Sequence, residues 1–429
     1  MKINILKDTS LTFKGLFYEN KIKHFESLSN IQIKNYQIKK LKNLLINASR
    51  EISYYRDLFW NIDFDPNKFN SLSDLKKIPI LNKSEIINNH ASLISGKRIK
   101  NAIKLSTSGS TGNRLSIYTS PSQWVIEQAA IWRHWHLAGY KFRDKMAIIR
   151  SYNPKKNEKI FKFNKFKNWL YISPYHLDDK HLKEIFILLI KWKPKFLRGY
   201  ASSIYLLAKY AMKYNIKLNH IEAIFTASEK LNSEYRKCIE NAFKAKVFDH
   251  YGQAEITAMF HEWNDHDGLN NLEYYGHVEL IKTNKNNIYK LIATNLHNDV
   301  MPLIRYDTGD LVKINKIIKK NEKCNFLKVS EIIGRESDFL KKANGGLIPS
   351  TNFYSYFAKI KEIIKFQFIT NNNDIKLNLM IDKEAKKKEL INLISTDMRE
   401  KFGKKIIICE TNIFNQSAGG KFSAIINKS

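Results

Sequence analysis

Along residues 32 to 60, isoleucine, leucine and aromatic side chains recur every three or four positions with lysines between them, a spacing that predicts amphipathic helix. The stretch 71 to 89 predicts two short helices parted by Pro79, with Ser73 and Asn82 as caps. From about 103 to 313 the period switches back and forth. Short β-branched runs at 146–150 and 221–228 sit beside amphipathic segments at 124–139, 179–192 and 201–214. That alternation predicts an α/β sheet covered by helices. Residues 287–293 and 311–317 read as strands of a smaller sheet. After the charged turn 332–346, which holds Gly345 and Gly346, the pattern restarts as helix, alternating strands at 364–369 and 375–381, a charged helix at 383–401 and a last strand pair. The expected architecture is α/β: a large multi-sheet domain over 1–335, entered through helices over 1–100, and a small mobile α+β domain over 336–429.

Composition leaves this picture intact. With 43% hydrophobic and 12% aromatic residues, a chain of 429 residues can bury a large core, which excludes a disordered protein. Cys238, Cys324 and Cys409 are too far apart for a metal or redox motif and predict a reduced, cytoplasmic setting. The amino end lacks the basic-then-apolar layout of a signal peptide. The apolar run at 185–190 is too short for a membrane span. Charge alters more: 72 Lys and Arg against 41 Asp and Glu give 72 − 41 = +31. The lysines are spread over the whole chain, however, and no RNA-recognition, zinc-finger or helix-turn-helix signature accompanies them. The field favours anionic ligands such as nucleotides and implies no specific nucleic acid.

Ser106, Thr107, Ser108, Gly109, Ser110, Thr111 and Gly112 follow a predicted strand. Small residues let backbone N–H groups converge on a phosphate, although the same composition suits a linker and no Gly-Lys-Ser/Thr follows. Four further patterns come in order. Tyr251-Gly252-Gln253-Ala254-Glu255 sets a ring and a carboxylate around a glycine turn. Tyr306-Asp307-Thr308-Gly309-Asp310 places an acceptor after a second one, Gly334-Arg335 precedes Asp338, and Gly419-Gly420-Lys421 presents a cation. His261 and His266 with Asp265 and Asp267 lack a metal-ligand spacing, and the aromatic run at 132–140 has core periodicity.

In this order the motifs resemble the adenylate-forming superfamily, and in particular its branch of phenylacetate–CoA ligases and capsule-biosynthesis proteins. The resemblance runs from about residue 35 to the end. It implies a large adenylate-forming domain with a small mobile one, and an ATP-dependent, AMP-forming ligase of a small-molecule carboxylate in polysaccharide or secondary metabolism. Ser106 to Gly112 would wrap the triphosphate of ATP with Arg114 as an auxiliary cation. Tyr251 and Gly252 would border the adenine, Gln253 would belong to the nucleotide site and the pocket wall, Glu255 would hold Mg²⁺, and Asp310 would bind the ribose hydroxyls with help from Arg335. Asp338 would be the hinge and Lys421 the catalytic lysine, while Trp132, Tyr200, Ala227 and Ser228 would line the acid pocket. The implied acceptor is the thiol of CoA or of a carrier's phosphopantetheine, with an acyl carrier protein or a sugar-modifying transferase as partner. An amine acceptor and an inactive nucleotide-binding homologue are the alternatives. Ala254 stands where relatives have Thr or Ser, which removes one hydroxyl near the α-phosphate.

Overall fold

The computed structural model describes residues 5–106, 115–314, 326–335, 339–344, 347–357, 359–371, 374–382, 384–416 and 422–428. The chain forms two compact units, each assembled from separate stretches: 1–107, 114–140 and 248–333 in one, 108–113, 141–247 and 334–429 in the other.

The first unit opens with α1 (Ile5–Glu26), α2 (Asn30–Glu51), α3 (Ser53–Asn61) and α4 (Lys83–Asn88), then β1 (Ile103–Ser106), β2 (Ser116–Thr119) and α5 (Pro121–Leu137). Helix α2 starts where Ser29 and Gln32 form a capping box, and it buries Ile33, Gln37, Leu41, Leu44, Leu45 and Ala48 along one face. Asn82 caps α4 with Glu85 in the same way. Ser73 does not cap, because its own backbone is helical; the Asp74 carboxylate takes the Asn70 and Ser71 N–H groups instead, and 74–77 closes as a 3₁₀ turn.

The second unit takes β3 (Met146–Ile149), β4 (Phe161–Asn164), β5 (Trp169–Ile172), α6 (Asp179–Trp192), β6 (Phe196–Gly199), α7 (Ala201–Lys213), β7 (Ala223–Ala227) and α8 (Ser233–Phe243). Strands β5, β3, β6 and β7 are parallel neighbours, with β4 antiparallel beside β5. Every residue of β3 and β7 is buried, as befits a sheet covered on both faces.

The chain then adds β8 (Lys246–Gly252), β9 (Met259–Glu262), β10 (Leu269–Asn271), β11 (Gly276–Lys282), β12 (Ile288–Asn295), β13 (Tyr306–Lys313), β14 (Lys328–Val329) and β15 (Glu331–Arg335). Strands β8, β9, β10 and β14 are neighbours in that order, and β11, β12, β13 and β15 form a second sheet. The strand expected at 311–317 begins five residues earlier, since Tyr306 pairs with Ala293 and Asp307 with Ile292. Thr308-Gly309-Asp310 is thus a bulge inside a strand, with Gly309 at φ +71°, and no turn precedes Asp310.

The last segment holds β16 (Phe339–Lys341), β17 (Leu347–Pro349), α9 (Ser350–Phe357), β18 (Ile363–Asn371), β19 (Asp374–Ile381), α10 (Lys387–Phe402), β20 (Ile407–Glu410) and β21 (Ile425–Lys428). Its sheet order is β20-β19-β18-β21. The two final strands are not partners: β20 runs parallel to β19 and β21 parallel to β18, on opposite sides of the central hairpin. Phe353, Phe368, Leu377, Leu379, Met398 and Phe402 form its core. No helix among the described residues is long and apolar enough to cross a membrane.

Candidate active site

Strand β8 ends on Tyr251 and Gly252, which pair with Phe260 and Met259 of β9. A tight turn follows, in which Ile256 N–H donates to the Gln253 carbonyl at 3.1 Å. Ile256 sits at φ +53° with its side chain 2% exposed. A β-branched residue in the left-handed region is strained by about 1–3 kcal/mol, and such strain gathers where a side chain must be held in one place. The residue so placed is Glu255. It is buried and accepts a hydrogen bond from the Tyr306 hydroxyl of β13 at 3.1 Å.

A second chain of hydrogen bonds converges on the bulge. Thr257 Oγ1 donates to Gln253 Oε1 (3.0 Å), Gln253 Nε2 to the Tyr251 hydroxyl (3.3 Å), and that hydroxyl to Asp310 Oδ2 (2.6 Å). Burial, then the neighbouring Asp310 charge, pushes the Tyr251 phenol well above its ordinary range, so it stays a donor. Tyr251, Gly252, Gln253, Glu255 and Asp310 therefore gather around one strand end and one bulge of the first unit. No group of three or more His, Cys, Asp or Glu suited to a metal occurs among the described residues. A single buried carboxylate does suit Mg²⁺ carried on substrate phosphates, because that ion keeps most of its oxygen ligands from water and phosphate.

In the second unit, Arg150, Tyr200 and Ser228 directly follow the carboxyl ends of β3, β6 and β7, where open parallel sheets bind ligands. Arg150 Nη2 donates to Ser228 Oγ at 3.3 Å and its guanidinium lies 5.5 Å from the centre of the Tyr200 ring. Ser151 Oγ is 3.2 Å from the Tyr200 hydroxyl, and Ala227, the residue before Ser228, is buried. Trp132 belongs to α5 of the first unit, where it packs with Trp135 and Tyr140 and is 2% exposed.

The end of the chain is held by side chains that carry no motif. Gln367 Nε2 donates to the carbonyls of Asn415 and Ser423, and its Oε1 accepts the Asn415 N–H at 3.0 Å. Gln416 and Phe422 face each other in an antiparallel bridge. Lys365 lies 4.2 Å and 5.0 Å from the ring centres of Phe422 and Phe414. Glu229, two residues past β7, accepts the Phe422 N–H at 2.5 Å and the Ser202 N–H at 3.0 Å. Thr107 to Gly112, Arg114, Asp338 and Lys421 lie outside the described residues, as do the side chains of Ser106 and Arg335. Arg150 and Glu229 escape motif reading; the available signal is that each follows a short apolar β-branched run.

Burial pushes the Lys365 ammonium down to about 8 from its ordinary 10.5. Between those values the unfolded chain binds more protons than the folded one, so this group makes the fold more stable as pH rises through that window. The unfolding free energy of the protein relative to its Lys365→Met variant should therefore climb from pH 8 towards 10, read from urea midpoints. A difference that stays flat over that range contradicts the burial of a charged amine here.

Among solved structures, the chain is similar to a 2-hydroxyisobutyryl-CoA ligase in the postadenylation state in complex with 2-HIB-AMP. The identity is 16%, the match covers 94% of this chain and 91% of that one, and the TM-score is 0.71. An anthranilate CoA ligase in complex with anthranoyl-AMP matches at 13% identity over 74% of this chain and 64% of its own, with a TM-score of 0.53. The chain has the fold of the adenylate-forming CoA ligases. More particularly, it is 28% identical to Protein CapK of Staphylococcus aureus over 395 residues, 90% of this chain and 86% of that one. Residues 340–428 match the family model of the CapK C-terminal domain.

Proposed function

We propose that this chain is an AMP-forming ligase that activates a carboxylic acid with ATP and passes the acyl group to a thiol, that of CoA or a carrier's phosphopantetheine. The observation that carries this reading is the pairing of Tyr251 with Asp310 beside Glu255 and Tyr306, built on the fold of ligases solved with acyl-adenylates. In the first half-reaction a carboxylate oxygen bonds to the α-phosphorus of ATP. The bond from that phosphorus to the bridging oxygen breaks, and its electron pair leaves on pyrophosphate. In the second, the thiolate sulfur bonds to the acyl carbon and AMP departs.

Asp310 accepts the ribose hydroxyls, and Tyr251 fixes its orientation while bordering the adenine with Gly252, next to Gln253. Glu255 would hold the magnesium of ATP·Mg, an ion that would supply charge neutralisation on the leaving group. Ser106 to Gly112 hold the phosphates, Arg335 assists, and Lys421 neutralises the α-phosphate oxygens. Tyr200, Ala227 and Ser228, joined by Arg150, bind the acid. Residues 336–429 act as the small mobile domain, turning about Asp338 between half-reactions.

The test is carboxylate-dependent exchange of radiolabelled pyrophosphate into ATP over aromatic, amino and hydroxy acids; label entering ATP with one class is the expected result. Silence with every class, from protein that melts cooperatively, rejects the reading. The same assay checks Asp310. An acceptor left without its hydroxyl partners costs about 1–3 kcal/mol, so 2′-deoxy-ATP should be used roughly 5- to 150-fold less efficiently. Equal use of both nucleotides removes Asp310 from the ribose.

A further inference from the structure

We propose that Glu229 is a positioning residue for adenylate formation: its carboxylate ties Phe422, the residue after Lys421, to the first turn of α7. The proposal rests on the ligase reading above and deepens it.

Part of what Glu229 does is ordinary. Tyr200, the residue at the cap of α7, supplies no side-chain acceptor, and Ser202 N–H is one of the amides the helix cannot satisfy internally. A carboxylate at that amino end completes the helix and suits its dipole. The second oxygen is not needed for that task. It takes the Phe422 N–H, so one ionised side chain bridges the carboxyl ends of the parallel strands to the terminal hairpin.

Among the described residues, two side chains of the small domain also grip that hairpin. Gln367 binds both arms at Asn415 and Ser423, and Lys365 lies against the rings of Phe414 and Phe422. These contacts give the hairpin its shape. Glu229 is supplied by the segment after β7, next to Ser228, which sits at φ +70° and whose hydroxyl accepts from Arg150. It therefore does a different job from Gln367: it fixes where the hairpin stands against the acid-binding strands. A lysine that must meet a phosphate oxygen within hydrogen-bond distance depends on that placement, since a shift of about 1 Å is enough to cost 10²-fold.

Only adenylate formation uses this arrangement, because acyl transfer follows after Lys421 has been withdrawn. The experiment uses the acid with the fastest wild-type exchange and its chemically made acyl-adenylate. Glu229→Gln keeps an acceptor for one amide and turns an –NH₂ donor on the other. It should lower the kcat of pyrophosphate exchange about 10- to 100-fold, on the scale of a lost charge-assisted hydrogen bond, with the KM for ATP unchanged. Conversion of the preformed adenylate to thioester with CoA should proceed at the wild-type rate, which also reports that the variant is folded. Equal loss of both half-reactions means that Glu229 only holds α7, and the proposal falls. Unchanged exchange also overturns it. A wild-type protein that exchanges with no acid removes the ligase reading itself, and the positioning role with it.

Discussion

Replacing Lys421 with alanine is expected to slow adenylate formation about 10²–10³-fold, the loss seen when one preorganised donor is removed from a site where charge develops. Negative charge spreads over the oxygens of the α-phosphate as the acid attacks. A single cation delivered into a site of low dielectric is worth several times its value in water. The fold should hardly notice the change, because Gln367 and the Gln416–Phe422 bridge shape the hairpin, and Glu229 anchors it, through other residues. Transfer of the acyl group from preformed adenylate to CoA should continue near its normal rate. Parallel measurement of pyrophosphate release and thioester formation decides the matter. Full adenylation activity in the variant would make Lys421 one more surface lysine, and matched loss of both steps would dispose of domain alternation.

The largest expected loss of stability comes from Arg305. Its guanidinium pairs with both oxygens of Glu279 at 2.9 Å, and its remaining nitrogen donates to the carbonyls of Lys76 and Ile78. The Arg305 and Glu279 side chains are only 9% and 13% exposed. Arg305→Ala leaves a buried carboxylate and two carbonyls without their partner, which should cost about 3–5 kcal/mol. The double change Arg305→Met with Glu279→Leu should recover much of that, since the isolated charge is what hurts. Because Tyr306 is the next residue and holds Glu255, the single variant should also bind ATP more weakly wherever it still folds. A midpoint shift in urea corresponding to less than about 1 kcal/mol would show that the pair is no better than a surface one.

Much of this was legible in the chain itself. The helices at 179–192 and 201–214 could be read from an apolar face that recurs along them, the helix at 124–139 from a long stretch rich in apolar and aromatic residues, and the strands at 146–150 and 221–228 from short apolar runs closed by a polar residue. The start of β13 was not, because its register is set by partners in β12, which local pattern does not contain. Helix α1 carries no strong apolar face of its own, so its bounds could not be read within the helical entry expected over 1–100. The same division runs through the site. Tyr251, Glu255 and Asp310 sit in short motifs whose chemistry is local. Arg150, Glu229, Lys365 and Gln367 acquire a role only when strand ends far apart in sequence are brought side by side, and no spacing rule could single them out among so many charged and amide residues.

The position of β21 bears on how the terminal lysine can be studied. Residues 425–428 lie along 368–371 of β18. Cutting the chain just after residue 421 would keep the lysine but uncover a row of backbone N–H and C=O groups on an apolar strand. Such an open edge recruits other strands, so the truncated protein should self-associate, and its inactivity would report aggregation. Point substitution is the cleaner probe, and any carrier or label is better attached elsewhere than in place of these four residues.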